Sequence, residues 1–351
     1  MHIIVPCAGR SSRFPDMPPK WMLPDHEGLP MVRRAVAGLG ARADQFIFTI
    51  LREHEEKFQA RKGLCVAFGQ DVNCVILDEP TRSQSETVAE TLRRTGIDGP
   101  FMVKDSDNYF AVDRLVQNHN YVCVASLSSF SQVNPQNKSY VQVDQEDAIV
   151  NFREKQVISD MFSVGGYFFT SPRAFLGAYE ELTGQSRLSM GELYLSEIIA
   201  WLSMNGHVFR VMRISQYQDW GTVHEWRDYL KTHRQYFIAV DGFLFEQGSK
   251  FFHPRFEEVK ANPIAVETVR ELKRRGQSLV YISIRPPELE ALTRHQIAEQ
   301  GLPDQPTLFG CDLTQWVLLT APHANQPFTT GLAVEMSPDD PLIIDKLDLQ
   351  G

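Results

Sequence analysis

The sequence predicts an α/β protein of two consecutive domains, and three observations lead there. Strand-like apolar runs alternate with helical runs over the first two-thirds of the 351 residues, the pattern of a mostly parallel sheet with helices on both faces. A loop of small residues, Ala8, Gly9, Ser11 and Ser12, follows the first apolar strand. The strand–helix pattern then restarts at Tyr236, after a charged helical run.

In the first domain, strands are expected over residues 3–5, 46–51, 74–77, 101–104 and 121–126. Helices are expected over 31–39, 53–61, 87–94 and 112–118. Residues 140–143 and 149–152 read as a hairpin around the polar turn 144–147. Helical spacing returns over 191–203, a strand pattern over 208–215, and a charged helix over 225–235 ends the domain. In the second domain, strands are expected over 236–240 and 279–284, and helices over 263–275 and 287–300. Residues 307–309 and 316–319 are short apolar runs. The boundary falls near 232–236, giving domains 1–233 and 236–351.

Composition is that of an ordinary globular chain, 43% hydrophobic and 23% charged. A formal net charge of −9 argues against a general nucleic-acid surface. An anionic substrate therefore needs a local cationic pocket, which Arg13, Lys20 and Lys155 supply. The five cysteines are dispersed and odd in number, as expected for reduced thiols of a cytoplasmic protein without a zinc or disulfide framework. No apolar stretch reaches membrane-spanning length, and no signal-peptide core opens the chain.

The first loop carries the chemistry. Small residues let backbone N–H groups approach an anion, and Arg13 and Lys20 neutralise it. A loop at the carboxyl end of the first strand of an α/β sheet is a common phosphate site. It lacks the Gly-Lys-Ser/Thr of a P-loop and the G-x-G-x-x-G of a dinucleotide fold. Ala8-Gly9-Arg10-Ser11-Ser12-Arg13-Phe14, with Pro19-Lys20 downstream, resembles the signature of the sugar-nucleotidyltransferase superfamily, the nucleoside-triphosphate pyrophosphorylases. The resemblance implies a Rossmann-like fold. It also implies nucleotide contacts from Ala8, Gly9, Arg10, Ser11 and Ser12, and catalytic roles for Arg13 and Lys20. The chain departs from many relatives after Glu27-Gly28, where Leu29-Pro30 stands in place of Lys-Pro.

Nucleotidyl transfer needs a divalent metal on the phosphates, cations for the leaving pyrophosphate, and a site that aligns the attacking phosphate. Lys104-Asp105-Ser106-Asp107-Asn108 follows a strand. On its own, Asp-x-Asp is an Asx-rich turn; the resemblance makes Asp107 a ligand of Mg²⁺, with Asp105 beside it. It assigns the second ligand to Asp219, in Gln218-Asp219-Trp220-Gly221-Thr222. Phe152-Arg153-Glu154-Lys155 resembles the family's Glu-Lys element, where Glu meets a substrate hydroxyl and Lys its phosphate. Val164-Gly165-Gly166-Tyr167 resembles the next strand, where Gly166 lets substrate pack on backbone. Glu192 lies in a run resembling a helix start near the same pocket. Residues 81–87 occupy the base- and ribose-binding loop, which brings in Gln84 for a base edge and Ser85. Ser85 and Thr87 also fit as helix caps.

The second domain opens with Tyr236-Phe237-Ile238-Ala239-Val240-Asp241-Gly242, which resembles the first motif of haloacid-dehalogenase-like (HAD-like) phosphatases, Asp-x-Asp-Gly after a strand. Ala239 stands at the nucleophile position, and a methyl group neither attacks phosphorus nor binds a metal. Asp241 keeps the second position, and Ser283 the phosphate-binding one. No lysine lies between Glu288 and Leu319, and Thr320-Ala321 follows the run where the family has an acidic ligand. The domain therefore reads as a pseudophosphatase, a module for bracing, dimerisation or ligand binding.

The resemblances imply a Mg²⁺-dependent nucleotidyltransferase. It couples an NTP, CTP first and UTP second, to a phosphorylated sugar, polyol or small alcohol, for surface-polysaccharide precursors. Its partners are these two small molecules and, in a homo-oligomer, its own copies. The rival readings are a binding regulator without turnover and a bifunctional transferase-phosphatase.

Overall fold

Ile3, Ile4 and Val5 are fully buried and start the central strand of a large sheet. The computed structural model describes residues 1–11, 13–115, 117–130, 134–184, 192–319 and 331–349. The chain divides into two units, Met1–Trp226 and Arg227–Gly351, the change falling inside a helix over Val223–Lys231.

The strands of the first unit are β1 (His2–Pro6), β2 (Phe46–Leu51), β3 (Asn73–Leu77), β4 (Phe101–Lys104), β5 (Asn108–Phe110), β6 (Asn120–Ser126), β7 (Ser139–Val143), β8 (Ile149–Glu154), β9 (Met161–Phe169), β10 (Phe209–Arg213) and β11 (Tyr217–Asp219). The main sheet runs β10-β6-β9-β4-β1-β2-β3, with the β7–β8 hairpin attached at β9. β1 to β4 are mutually parallel, as are β6 and β10. β9, however, is antiparallel to both β4 and β6. The sheet is therefore mixed at its centre, although the other six strands of that order all run the same way. Eight of the nine residues of β9 are buried, so it fits between two other strands as readily as a parallel one.

Helices α1 (Met31–Ala35), α2 (Arg52–Phe58), α3 (Ala60–Phe68), α4 (Gln84–Thr95), α5 (Pro172–Gly184) and α6 (Leu195–Met204) belong to this unit, and α7 (Val223–Lys231) spans the division. The helix expected over 53–61 is two helices, broken where Gln59 turns left-handed at φ 50°. The one expected over 31–39 stops at Ala35 and continues as a 3₁₀ turn. The described residues of 112–118 are not helical; the Val112 N–H instead donates to the Gly38 carbonyl at 3.0 Å. α5 was not expected, although Ser171, whose hydroxyl accepts from the Ala174 N–H, and Pro172 form a standard helix start.

The second unit contains β12 (Gln235–Ala239), α8 (Pro263–Arg274), β13 (Ser278–Ile282), α9 (Glu290–Glu299), β14 (Thr307–Leu308) and α10 (Ile343–Leu349). Its parallel sheet has the order β12-β13-β14, over a core that includes Ile238, Val240, Val269, Leu279 and Ile297. The apolar run 316–319 is not a strand, and Val317, Leu318 and Leu319 are exposed. No helix among the described residues is long and apolar enough to cross a membrane. All five cysteines are free.

Gly38 sets a close backbone contact. A Cβ there would run into the Phe110 carbonyl oxygen and lie 2.9 Å from the Ala111 Cα. Backbone atoms cannot rotate away, so Gly38→Ala is expected to destabilise the first unit by about 2 kcal/mol. Urea unfolding followed by tryptophan fluorescence checks this; an unchanged midpoint would refute the contact.

Candidate active site

Because β1, β3 and β4 are parallel, the loops after them open at one edge of the sheet, the usual place for a ligand. After β1, Ser11 adopts φ 49°. Its carbonyl accepts from the Phe14 N–H at 2.8 Å and its hydroxyl from the Lys20 N–H at 3.1 Å, which ties the loop into a closed turn. Phe14 is buried beneath it, while Gly9, Arg10 and Arg13 are exposed. Ala8 is itself fully buried, packed with Ile47, Leu51, Val75 and Leu77. Ser12 lies outside the described residues.

After β4 the chain depends on Lys104, which is completely buried. Its ammonium donates to the carbonyls of Asp105 (2.7 Å) and Asn108 (2.9 Å) and to the Asn108 side-chain oxygen (2.6 Å). It also faces the Phe110 ring at 4.7 Å. Burial pulls it down to about 8, against Asp105 and Asp107, which favour its charged form. Gly165 supports the same turn. Its φ is +77°, its carbonyl accepts from the Asp105 N–H at 2.9 Å, and a Cβ would collide with the Asp105 carboxylate and lie 2.6 Å from the Asn108 amide.

The two metal-ligand candidates meet through the β5–β11 ribbon, which sets Asp219 opposite Asn108. The Trp220 N–H then donates to the Asp107 carbonyl at 2.9 Å. A Cβ built on Gly221 would have Asp219 Oδ1 at 3.4 Å, Arg13 Nη1 at 3.5 Å and Asp107 Oδ2 at 3.5 Å. Residues from the beginning, middle and end of the unit thus converge on one point. Each carboxylate carries a lysine: Lys20 pairs with Asp107, and Lys138 with Asp219. Burial alone would raise the Asp107 carboxyl, but Lys20, with Arg13 and Lys104 behind it, holds it below the ordinary range. Asp105 goes the other way, raised by burial and then by the Asp107 charge.

This donor set suits Mg²⁺, which is commonly held by one or two carboxylates while substrate phosphates and water complete its shell. The ammonium groups on Asp107 and Asp219 show that the pocket already accommodates positive charge at both oxygens. Among the described residues, no group of three or more acidic, His or Cys side chains forms a closed metal cage.

At the end of β8, Glu154 accepts from the hydroxyls of Ser139 and Ser196, the latter at 3.1 Å. Lys155 sits at φ 53°. Its ammonium reaches the Tyr194 hydroxyl at 3.1 Å; that hydroxyl first, then Glu154 and Glu192, raise it. Glu154 and Lys155 thus meet the start of α6 through Ser196 and Tyr194. At Gly166 the space for a Cβ belongs to Phe110, at 2.6 Å, and Cys123, at 2.9 Å, so the core itself demands a glycine there.

The loop before α4 differs in detail from the sequence reading. Ser83 is the cap, accepting from the Glu86 N–H at 3.1 Å. Ser85 and Thr87 are not caps, because both lie inside the helix and are buried. The Ser85 hydroxyl has no hydrogen-bond partner. The Gln84 amide donates to Asp105, which joins this loop to the carboxylate turn. A cavity of about 260 Å³ lies beside it, lined by Asp78, Glu79, Pro80, Thr81 and Arg94 among others.

In the second unit, Ala239 ends β12, and Asp241 follows it into a closed cluster. Arg285 Nε donates to the Asp241 carboxylate at 2.7 Å, and the Ser283 hydroxyl donates at 2.8 Å. Arg285 is held further by Thr293 at 3.2 Å and by Gln296, between the rings of Phe245 and Phe256. Thr320 and Ala321 lie outside the described residues.

Lys104 and Lys138 were not singled out from the sequence. A lysine that ends a wholly apolar strand just before an acidic turn was a usable signal for Lys104. Lys138 stands in a polar stretch with no local mark; only folding brings it to Asp219.

Solved structures of nucleotidyltransferases share the fold of the first unit. A nucleoside-diphosphate-sugar pyrophosphorylase from Vibrio cholerae RC9 is 24% identical, with a TM-score of 0.55, over 65% of this chain and 99% of that one. A protein described as a glucose-1-phosphate thymidylyltransferase, from Bacillus anthracis, is 18% identical, with a TM-score of 0.52, over 66% and 94%. The inositol-1-phosphate CTP transferase from T. maritima is 13% identical, with a TM-score of 0.50, over 64% and 90%. No protein-family model and no curated protein sequence matches the chain.

Two buried cations can be tested by stability. Lys104→Met would remove the donor from three acceptors, two of them buried, and is expected to cost about 3 kcal/mol. Arg285→Met would strand the Asp241 carboxylate and is expected to cost the second unit about 3 kcal/mol. Denaturant titration reads both; wild-type midpoints would show that the pairs contribute little.

Proposed function

We propose that the first unit is a Mg²⁺-dependent nucleotidyltransferase. It joins an NTP, CTP or UTP by preference, to a phosphorylated sugar, polyol or small alcohol, and releases pyrophosphate. The observation that supports it most is the convergence of Asp107, Asp219 and Arg13 around Gly221, with Lys20 on Asp107. The likeness to sugar-nucleotide and inositol-phosphate transferases in fold is compatible with this class. A cytoplasmic role in supplying surface-polysaccharide precursors fits the same reading.

An oxygen of the acceptor phosphate attacks the α-phosphorus in line, the bond from that phosphorus to the bridging oxygen of the β-phosphate breaks, and pyrophosphate leaves. Asp107 and Asp219 are the residues to hold Mg²⁺. When bound, the ion neutralises the charge of the phosphates. The closed turn after β1 presents Arg13 and Lys20 to the departing pyrophosphate, where negative charge grows. Lys155 orients the acceptor phosphate, and Glu154, fixed by two serine hydroxyls, accepts from an acceptor hydroxyl. Lys104 keeps the carboxylate turn rigid, so little reorganisation is needed during the reaction.

We also read the second unit as a HAD-like domain without phosphatase activity. Ala239 supplies no nucleophile, and Asp241 is fully engaged by Arg285, Ser283 and the Ile284 N–H.

Pyrophosphate release from each of the four NTPs, against a panel of sugar and polyol phosphates, tests the reaction. Turnover is expected with CTP or UTP; none with any pair would reject it in favour of a binding protein. Asp107→Ala and Asp219→Ala should each abolish turnover. Arg13→Ala and Lys20→Ala should lower kcat about a hundredfold and change KM less. Phosphate release from generic esters that disappears in Asp241→Asn would overturn the pseudophosphatase reading.

A further inference from the structure

Lys138 occupies a position that neither the sequence motifs nor the reaction scheme assigns. Its ammonium holds Asp219 and donates to the Tyr217 hydroxyl at 2.7 Å. Its backbone carbonyl accepts from the Lys155 N–H at 3.0 Å. The next residue, Ser139, donates to Glu154. One short stretch of chain therefore ties the metal-side carboxylate to both residues of the acceptor side.

Two properties make this pair exchangeable. The Lys138 and Asp219 side chains keep 10% and 14% of their surface exposed, so solvent and ligands reach them. The ammonium also lies 5.2 Å from the centre of the Tyr217 ring and 6.0 Å from that of Phe162. These aromatic faces hold a cation near its place when its carboxylate partner is taken. A divalent ion on Asp219 competes with the ammonium for the same carboxylate, and repels it. Glu225, the other carboxylate that feels Lys138, is already held by Thr222, so the phosphate assigned above to Lys155 is the charge left to take the ammonium.

We infer that Lys138 exchanges partners, from Asp219 to the phosphate of the acceptor, and so couples metal binding to acceptor binding. The identity of the acceptor rests on the nucleotidyl-transfer reading; the exchange itself is testable without turnover. Lys138 is thereby a further phosphate-binding residue, with specificity for a phosphorylated acceptor over its free alcohol.

Mn²⁺ binding to the full chain without nucleotide, followed by electron paramagnetic resonance, is the first readout. Lys138→Met removes the competing cation and should tighten Mn²⁺ about tenfold. Inorganic phosphate is the second probe. In the presence of Mn²⁺, Lys138→Met should bind phosphate about tenfold more weakly by calorimetry, while Lys138→Arg keeps wild-type affinity to within about threefold. Circular dichroism melting confirms that each variant is folded. Unchanged Mn²⁺ affinity overturns the exchange. So does tighter Mn²⁺ with unchanged phosphate binding, which would make Lys138 only a counter-ion of Asp219. If wild-type protein turns over no NTP–acceptor pair while both binding shifts occur, the nucleotidyl-transfer reading fails and the exchange stands.

Discussion

A single buried ammonium organises the candidate site. Lys104 has no water to solvate it, so it must find oxygen partners in the protein. It finds three, all from the turn that begins at Asp105 and ends at Asn108. Those bonds fix the turn, and the turn directs Asp107 toward Lys20 and Arg13. The same turn starts β5, whose pairing with β11 brings Asp219 from the far end of the unit. Gly165 and Gly166 keep β9 close enough for this arrangement, because no side chain stands between that strand and Asp105, Asn108 or Phe110. Without the buried cation, the acidic turn would lose both its neutralising charge and its shape.

The electrostatics explain how an acidic chain can receive a polyanion. The net charge of −9 repels phosphates at a distance, but at the loop edge the balance is local. Arg13, Lys20 and Lys138 stand beside Asp107 and Asp219. Each lysine is ion-paired, yet partly exposed, with 20% of the Lys20 side chain open to solvent. In the proposed reaction such pairs would be replaced by metal on one side and phosphate on the other.

The second unit contains the opposite arrangement. The Asp241–Arg285 pair has side-chain exposures of 2% and 0%. Separating two buried charges costs far more than separating two exposed ones, so this pair holds the strand ends together and does not exchange. The Arg285 Nη2 group has no hydrogen-bond partner, a further cost accepted for keeping the arginine inside. The same types of residue thus act as exchangeable partners in one unit and as a fixed bolt in the other, and burial makes the difference.

The sequence by itself determined the α/β alternation, the first strand and its loop, and the candidate residues Arg13, Lys20, Asp107, Asp219, Glu154 and Lys155. These are legible because strand periodicity, small-residue loops and short motifs are local properties of the chain. The tertiary structure alone decided that β9 runs antiparallel at the centre of the sheet and that residues 53–61 are split at Gln59. It alone showed that Ser83 caps α4, that Lys138 reaches Asp219, and that Arg285 captures Asp241. The strand order and the two ion pairs depend on which distant strand or side chain becomes a neighbour. Hydrogen-bond satisfaction and burial settle that only when the whole chain has folded, and no local pattern encodes it.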